Sequence, residues 1–352
     1  MTSKKGLLER LQNGGNVIVA EGFLFEIERR GYMSAGPFVP VVSVEHPEVL
    51  KQLYEEFAHA GSDVILAFTY YAHREKLRVV GREDDLEAIN KAALRLAREV
   101  ADEHGCLMAG NICNSAVYVT GDTESHKITE GMFKEQIEIA VEMGADFIVA
   151  ETYMDTGEAM LALECIKKYG KGVPAVVTLS ASAKDTLVDG VGVVEACKNL
   201  EEAGAAVVGL NCFAGPDTMM PILKQIKAVC KGPIAALPVP YNTTPKEPVF
   251  TALTVPGTKK RAFPLDLCAC QCSRTRVEEF AKECKEMGIQ YVGLCCGNSA
   301  NLTRVVAEVY GRTPPASKYS PDMTKHYIFG DKSRFRKEFT EDLRANKGGD
   351  FD

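Results

Sequence analysis

Three cysteines stand at the ends of two apolar runs, where they could hold one metal ion together. One run ends at Cys212, and the other ends in the pair Cys295-Cys296, followed by Gly297. Zinc bound by three protein ligands keeps a fourth tetrahedral position for water or substrate, whereas four protein ligands close the site. Three thiolates therefore predict a catalytic Zn²⁺ ion bound by Cys212, Cys295 and Cys296.

Cys295 and Cys296 are adjacent in the sequence, and this limits how they can bind the same metal ion. Adjacent residues of a regular strand point to opposite faces, so Cys295 and Cys296 can share a metal only where the strand ends and the chain turns. Gly297 supplies the backbone freedom for that turn. The alternatives for the pair alone are packing of two small buried residues or a redox disulfide. The matching position of Cys212 favours zinc, because both runs end in a thiol followed by a loop residue.

The elements that must position these thiols alternate between short apolar runs and longer helical patterns, which is typical of βα units around a parallel sheet. Most of the runs are apolar throughout, as expected for strands buried on both faces. Eight runs are found, at residues 16–20, 63–68, 107–113, 146–152, 174–182, 206–212, 234–240 and 291–297. The sequence therefore predicts an α/β fold, a (βα)8 TIM barrel with catalytic residues at the C-terminal strand ends.

The residues between the runs agree with this arrangement. Four of the helical patterns that precede strands end in glycine, which favours a left-handed helix stop: Gly61, Gly144, Gly204 and Gly288. A long insertion rich in Pro and Thr, residues 241–274, follows the seventh run, and loops at this end of a barrel often cover the active site.

Length divides the chain into a barrel and an addition. The 352 residues suffice for one barrel domain, predicted over 1–315, and a short C-terminal extension over 316–352. The extension carries one helical stripe of Phe335, Phe339 and Leu343. Docking of this stripe on a partner subunit and a loosely attached tail both agree with the pattern, and the predicted assembly is a homo-oligomer.

Composition restricts the partners. A net charge of −7 argues against nucleic acid or an anionic membrane as the main partner, because both attract clustered Lys and Arg. A small-molecule substrate fits better. Twelve cysteines behind a polar start that lacks a signal peptide predict a cytoplasmic protein with free or metal-bound thiols. No apolar stretch is long enough to span a bilayer.

Several motifs resemble those of betaine–homocysteine S-methyltransferases over roughly residues 6–317. The N-terminal matches lie at residues 22–23, 28–32, 35–37 and 44–48, and later ones at 68–72, 150–151, 209–212, 291–293, 295–297 and 314–317. The Asn-Cys element and the Cys-Cys-Gly element are specific to the wider homocysteine methyltransferase family. In that family three such cysteines hold zinc on a barrel.

The resemblance implies a reaction and an acceptor site. A methyl group would pass from betaine to the zinc-activated thiolate of homocysteine, which forms methionine and dimethylglycine. No catalytic residue is expected beyond that thiolate. Glu151 would hold the homocysteine amino group, although a carboxylate at a strand end also commonly forms a salt bridge in the barrel mouth. Gly22 and its neighbour Glu21 would lie at the homocysteine backbone.

The donor site should recognise a methylated cation through aromatic faces. The resemblance places Phe38, Tyr70 and Tyr71 there, and a hydrophobic core pair under the second βα loop is the structural alternative. Two departures bear on the donor. Phe38 stands where the betaine branch usually has tryptophan, and Thr152 stands where it has tyrosine, for which Tyr153 could substitute. A sulfonium donor such as S-methylmethionine or dimethylsulfoniopropionate is therefore the alternative to betaine.

A third departure lies at the first strand end. The family usually shows Asp-Gly where this chain has Ala20-Glu21. Glu21 could replace the lost carboxylate from the neighbouring position, or it could serve a different donor.

Other features carry weaker predictions. Cys268, Cys270 and Cys272 alternate along an extended segment, so a second metal site there is not favoured. Glycine-rich phosphate motifs are missing from the sequence, so no nucleotide cofactor is indicated. A non-catalytic zinc barrel that binds a methylated osmolyte is the second functional hypothesis, and a thiol-activating metal position favours the enzyme over it.

Overall fold

The computed structural model describes residues 5–181 and 185–326, and its centre is a closed barrel of eight parallel strands. The strands are β1 (Val17–Ala20), β2 (Val64–Leu66), β3 (Leu107–Cys113), β4 (Phe147–Tyr153), β5 (Ala175–Leu179), β6 (Val207–Asn211), β7 (Ile234–Leu237) and β8 (Tyr291–Leu294). Each strand pairs with the next in chain order, and β8 closes the ring by pairing in parallel with β1. The predicted α/β fold, a TIM barrel, is confirmed.

Burial explains why the strands are apolar throughout. Every residue of the eight strands is buried, because one strand face fills the barrel and the other packs against the surrounding helices. Most of the strands are shorter than the apolar runs that predicted them. The last two runs continue to residues 240 and 297, whereas β7 ends at Leu237 and β8 at Leu294. The extra apolar residues cover the C-terminal mouth of the barrel.

Twelve α-helices are found in the described residues. They are α1 (Leu7–Leu11), α2 (Phe23–Arg29), α3 (Val42–Glu45), α4 (Pro47–Ala60), α5 (Arg74–Val79), α6 (Leu86–His104), α7 (Thr123–Glu142), α8 (Thr156–Tyr169), α9 (Val193–Glu202), α10 (Pro216–Val229), α11 (Arg274–Glu286) and α12 (Ala300–Val309). The helices that surround the barrel bury one apolar face, and α4 is an example. Its buried residues recur at helical spacing: Leu50, Leu53, Tyr54 and Phe57.

Helix stops lie at the predicted glycines. Gly61 ends α4 with φ 106°, a left-handed conformation in which its N–H bonds back to the helix. The other three predicted stops, Gly144, Gly204 and Gly288, also have positive φ. After each of these glycines the chain leaves the helix and soon enters the following strand. The glycine thus determines where the next strand begins.

The insertion after β7 forms a cover on the mouth of the barrel. It holds two short 3-10 helices, Phe250–Ala252 and Leu267–Cys270, before α11 begins at Arg274. Tyr241 anchors it, since this side chain is fully buried and its hydroxyl accepts a 3.0 Å hydrogen bond from Arg29 of α2. The predicted long loop after the seventh strand is therefore present.

The beginning of the C-terminal extension packs against α12. A 3-10 helix, Pro315–Tyr319, follows the barrel, and Ser317 Oγ donates a 2.8 Å hydrogen bond to Glu308. The stripe of Phe335, Phe339 and Leu343 lies outside the described residues. The boundary at residue 315 and the homo-oligomer accordingly stay predictions.

The structure also bears on the predicted state of the cysteines and on membrane-spanning segments. All twelve cysteines are free of disulfides. Within residues 5–181 and 185–326, none of the helices combines the length and apolar character that crossing a membrane requires.

Candidate active site

The three predicted thiols meet at the C-terminal mouth of the barrel. Cys212 directly follows β6, and Cys295-Cys296 directly follow β8. The three sulfur atoms lie within 4.8 Å of one another, and Cys295 Sγ is 4.0 Å from Cys296 Sγ. A tetrahedral zinc ion with Zn–S bonds of about 2.3 Å needs sulfurs about 3.8 Å apart. The donor set and its spacing therefore fit zinc.

Local backbone conformation brings the thiols together. Cys212 has φ 59°, and its N–H donates a 2.9 Å hydrogen bond to the carbonyl of Leu237 on the neighbouring strand. The turn expected at Gly297 is present, with φ 91°. A Cβ atom at Gly297 would lie 2.2 Å from the Tyr241 hydroxyl, so this position has no room for a side chain. Because β8 ends before Cys295, the vicinal pair escapes strand alternation.

The three thiols are linked by hydrogen bonds in which Cys212 is the acceptor. Hydrogen bonds from Cys295 and Cys296 lower the pKa of the Cys212 thiol to about 5. The donating role raises the pKa of the Cys295 and Cys296 thiols well above the ordinary value, since each would lose its bond to the Cys212 thiolate. Metal ions bind thiolates and displace such protons. The arrangement therefore favours a thiolate at Cys212, with the other two thiols as its hydrogen-bond donors.

A buried carboxyl group faces the thiols from β4. Glu151 is 4% exposed and accepts two amide hydrogen bonds, from Asn111 Nδ2 at 2.6 Å and from Asn211 Nδ2 at 2.8 Å. Asn211 also accepts from the main-chain N–H of Thr152 at 2.9 Å, which fixes its orientation. The Glu151 carboxyl is therefore held by three strands and cannot turn freely.

A second buried carboxyl group lies beside the first. One oxygen each of Glu21 and Glu151 and the sulfur of Cys295 lie within 4.8 Å of one another. Neither Glu21 oxygen makes a hydrogen bond of normal geometry, although the residue is only 1% exposed. Burial, then repulsion from Glu151 and Cys295, raises the pKa of Glu21 well above its ordinary value, and burial raises that of Glu151 to about 8. A bound cation would relieve this repulsion.

Two of the thiols, Cys295 and Cys296, and the Glu151 carboxyl line one small pocket. Its wall consists of Gly22, Phe23, Leu24, Leu66, Ala67, Phe68, Tyr70, Asn111, Glu151, Thr152, Cys295 and Cys296. Gly22 has φ 85°, and a Cβ atom there would lie 2.2 Å from the carbonyl oxygen of Cys295. The loop after β1 can approach the thiols this closely only because residue 22 is glycine.

The loop after β2 supplies tyrosines to the pocket. Tyr70 lines it, and the Tyr71 ring lies 4.3 Å from the Tyr70 ring, centroid to centroid, with the planes tilted by 49°. Tyr71 has φ 61° and donates its N–H to Cys113 Sγ at 3.4 Å. Burial raises the pKa of both phenols, so they stay neutral at physiological pH. Their polarisable faces can attract a cation.

Phe38 takes a different position from the two tyrosines. Its ring packs edge-to-face on Phe25 at 5.7 Å, and Phe25 in turn contacts Phe250 of the long insertion at 6.1 Å. Phe38 is partly buried and does not belong to the pocket wall. Its place in the donor site stays a prediction.

Tyr153 is not brought to the pocket. In a regular strand it would share the face of Glu151, but the β4–β5 pairing shifts register between Ala150 and Tyr153, and Thr152 has φ 66°. The irregularity turns the Tyr153 ring outward, where it meets Phe133 of α7 edge-to-face at 6.0 Å. Thr152 lines the pocket in its place. Tyr153 is therefore not part of the pocket wall, and its role at the donor site stays a prediction.

The cysteines of the insertion do not converge. Cys268 is exposed, whereas Cys270 Sγ donates to the Thr254 carbonyl at 3.5 Å and Cys272 Sγ to Asn242 Oδ1 at 3.3 Å. Among the described residues they form no group with ligand atoms within 4.8 Å of one another. Both hydrogen-bonded thiols hold the insertion together.

Two residues of the site were not singled out by sequence reasoning. Asn111 and Asn211 carry the hydrogen bonds that orient Glu151, and both are polar residues inside otherwise apolar strands. A buried polar side chain requires a hydrogen-bond partner, so an isolated Asn in an apolar strand indicates a buried polar group nearby. Asn211 belongs to the Asn-Cys element described above, whereas Asn111 belongs to no motif.

Comparison with known proteins agrees with this geometry. The family model described as homocysteine S-methyltransferase matches residues 20–310. Betaine–homocysteine S-methyltransferase 1 of Mus musculus is 33% identical over 370 residues, which cover 98% of this chain and 86% of that protein. The S-methylmethionine–homocysteine S-methyltransferase BHMT2 of Pongo abelii is 31% identical over 368 residues, covering 99% and 95%.

A solved structure shares the fold. The metallated form of the homocysteine methyltransferase MmuM from Escherichia coli superposes with a TM-score of 0.67 at 17% identity, covering 86% of this chain and 99% of that one. At this identity the likeness concerns the barrel and not the ligands.

Proposed function

Because the chain belongs to the homocysteine S-methyltransferase family, we propose that it is a zinc-dependent enzyme that methylates homocysteine, with betaine as the leading methyl donor. The observation that carries the proposal is the convergence of Cys212, Cys295 and Cys296 within 4.8 Å beside a pocket lined by Glu151, with the buried carboxyl of Glu21 close to Glu151 and Cys295. The products are methionine and dimethylglycine.

The thiol cluster supports the acceptor chemistry. A free thiol has a pKa near 8.5 and is mostly protonated at neutral pH, so it is a weak nucleophile. Zinc held by Cys212, Cys295 and Cys296 would lower that pKa by coordination while three thiolates keep the substrate sulfur electron-rich. The protein contributes a rigid frame for this, since all three ligands directly follow strands of the barrel.

The carboxyl pair supports recognition of an amino acid. Homocysteine carries an ammonium group, and Glu151, held by Asn111 and Asn211, presents a fixed carboxylate beside the thiols. Glu21 adds a second carboxyl at the same point, from the strand end where the family usually has Asp-Gly. The ammonium group would offset the repulsion that raises the pKa of both carboxyls, so that substrate binding and full ionisation favour each other.

Aromatic rings support recognition of the donor. Tyr70 lines the pocket, and Tyr71 lies against it, so a quaternary ammonium or sulfonium group can lie near aromatic faces within reach of the thiols. In the transfer, the homocysteine sulfur forms a bond to the methyl carbon as the C–N bond of betaine breaks. The bonding pair stays on nitrogen, which becomes the neutral amine of dimethylglycine, and the thiol proton leaves to solvent.

A sulfonium donor is the second candidate. Thr152 is smaller than the tyrosine usual in the betaine branch, and the relative from Pongo abelii is named for S-methylmethionine. With this donor the broken bond is C–S, and its electron pair stays on the leaving sulfur. We expect the enzyme to act in the cytoplasm on small molecules.

Methionine formation tests the proposal. Purified protein loaded with zinc is incubated with homocysteine and one of betaine, S-methylmethionine or dimethylsulfoniopropionate, and methionine is measured together with the demethylated donor. We expect betaine to give the highest kcat/KM. A protein that binds zinc and an onium compound but forms no methionine with any donor would support the non-catalytic barrel instead.

A further inference from the structure

An uncompensated lysine lies next to the donor tyrosines. Lys76 belongs to α5, which begins three residues after Tyr71, and its Nζ lies 4.1 Å from the centre of the Tyr71 ring. The side chain is partly buried. A lysine in such a position loses hydration and gains only the modest attraction of one ring, on the order of 0.5–2 kcal/mol.

The acidic neighbours of Lys76 are occupied elsewhere. On the same helix, Glu75 pairs with Arg78 at 3.0 Å, and Glu135 of α7 pairs with Arg74 at 2.6 Å. Within the described part of the chain, Lys76 has no carboxylate within 4.0 Å. The three lysines of the next two helices, Lys91, Lys127 and Lys134, each have one. Lys76 thus has no ion-pair partner among the described residues, and its ammonium is available to an anionic ligand.

The uncharged groups around Lys76 do not neutralise it. Burial, then the Lys76 charge, lowers the pKa of His73 to about 4, so the imidazole is neutral. It approaches the Asn114 main chain, but neither ring nitrogen has a partner with hydrogen-bond geometry. Burial raises the pKa of the Cys113 thiol above its ordinary value, so that group is neutral as well.

Lys76 is also connected to the reacting centre. The Tyr71 N–H donates to Cys113 Sγ, and Cys113 is paired in register with Glu151 across β3 and β4. The Tyr71 phenol is close enough to Cys296 for the thiol charge to raise its pKa. Tyr71 therefore contacts the Lys76 ammonium through its ring and, through its main-chain N–H, Cys113, the β3 residue paired with Glu151.

We propose that Lys76 binds the carboxylate of a zwitterionic methyl donor. Betaine, dimethylsulfoniopropionate and S-methylmethionine all carry a carboxylate a few bonds from the onium centre, and the onium and carboxylate charges of each need opposite partners. With the carboxylate on Lys76, the onium group lies along the tyrosine rings and a methyl group points toward the thiols. The inference rests on the proposed function and names the residue that makes the donor site selective for carboxylates.

Two half-mimics of betaine separate this role from a structural one. The probe 3,3-dimethylbutanoate keeps the carboxylate and replaces the onium centre by carbon, whereas tetramethylammonium keeps only the onium centre. Binding of each is measured by calorimetry on the zinc-loaded protein with homocysteine present. In Lys76→Met we expect 3,3-dimethylbutanoate to bind about 10- to 100-fold more weakly, because a charge-assisted hydrogen bond is lost. Tetramethylammonium should bind as in the wild type or more tightly.

Control variants keep the result decisive. Lys76→Arg retains the charge and should retain most of the affinity for 3,3-dimethylbutanoate. Lys134→Met removes a lysine that lies 5.4 Å over the Tyr169 ring, away from the pocket, and should change neither probe. Equal weakening of both probes in Lys76→Met would mean that Lys76 only supports the Tyr71 loop, and unchanged binding of both would place the anchor elsewhere; either result overturns the inference.

Failure of this inference is distinguishable from failure of the proposed function. If the wild-type protein forms no methionine with any donor, the proposed function is wrong. If it forms methionine and Lys76→Met keeps the wild-type KM for betaine, only the role of Lys76 is wrong. In the expected case the KM for betaine rises about 10-fold or more in Lys76→Met, while the KM for homocysteine stays within a factor of about two.

Discussion

The two ends of the pocket are built in different ways. At the end that we assign to the acceptor, Cys212, Cys295 and Glu151 lie on strands or directly after them, and amide hydrogen bonds fix the carboxyl. At the end that we assign to the donor, Tyr70 and Tyr71 come from a loop and meet each other mainly through their rings. Ligation of a metal tolerates errors of a few tenths of an ångström, whereas attraction to a ring face changes gradually with distance. The rigid scaffold therefore serves the end with the stricter geometry.

Backbone strain occurs at both ends of the pocket. Cys212 and Thr152 at the acceptor end have φ of 59° and 66°, and Tyr71 and Phe38, assigned to the donor, have φ of 61° and 51°. Such conformations cost on the order of 1–3 kcal/mol each and persist only where the surroundings enforce them. At Thr152 the surroundings include a hydrogen bond from its N–H to Asn211, on a different strand of the barrel. The strained residues are therefore shared between the two ends, and at Thr152 the barrel itself supplies a contact that holds the conformation.

Removal of one thiol should have the largest effect. In Cys212→Ala we expect zinc content to fall from one ion per chain toward none and methyl transfer to drop by about a thousandfold, because the metal supplies several kcal/mol. Metal analysis and methionine formation are measured on the same preparation. Cys268→Ser, which removes an exposed thiol of the insertion, is the matched control and should leave both values unchanged. Full zinc content in Cys212→Ala would refute the three-thiol site.

Neutralisation of Glu151 should have a smaller, one-sided effect. Glu151→Gln keeps the size of the side chain but removes the charge that we assign to the homocysteine ammonium group, so the KM for homocysteine should rise about 10- to 100-fold. The KM for betaine should change little. Glu158→Gln alters a buried carboxyl bonded to Ser115 outside the pocket and serves as control. A defect confined to the donor would remove the proposed division between the two ends.

Loss of the Tyr70 ring should have the smallest effect of the three changes, and it should affect the donor alone. Tyr70→Leu removes a π face and should raise the KM for betaine by about 2- to 30-fold, which corresponds to roughly 0.5–2 kcal/mol. Zinc content and the KM for homocysteine should stay unchanged. Tyr70→Phe keeps the face and should keep most of the donor affinity. A Tyr70→Phe variant as weak as Tyr70→Leu would show that the hydroxyl, and not the ring, matters.

The sequence predicted the barrel because the fold repeats one physical pattern eight times. Buried strands recur eight times and glycine helix stops precede four of them, so each unit supports the interpretation of the next. The convergence of Cys212 with Cys295 and Cys296 followed from the same pattern, since the C-terminal ends of all strands in a parallel barrel lie on one face. Both predictions depend on regular geometry.

What the sequence did not predict depends on irregular geometry. Strand alternation gives no warning of the register shift that turns Tyr153 outward, because the shift arises from the left-handed conformation at Thr152. The position of Lys76 over Tyr71 depends on where a short helix begins, which periodicity fixes only to within a few residues. The residues of the donor end were consequently the harder ones to place.

The pairing of β8 with β1 has a consequence for the order of events during synthesis. A chain that has left the ribosome as far as β7 carries only Cys212 of the three ligands, and the Gly22 wall of the pocket still lacks its neighbour Cys295. Both are completed when the last strand inserts between β7 and β1. With the proposed zinc site, metal loading would be coupled to ring closure: a nascent chain would capture the ion only after its fold is finished, and the ion would stabilise the closed ring against reopening.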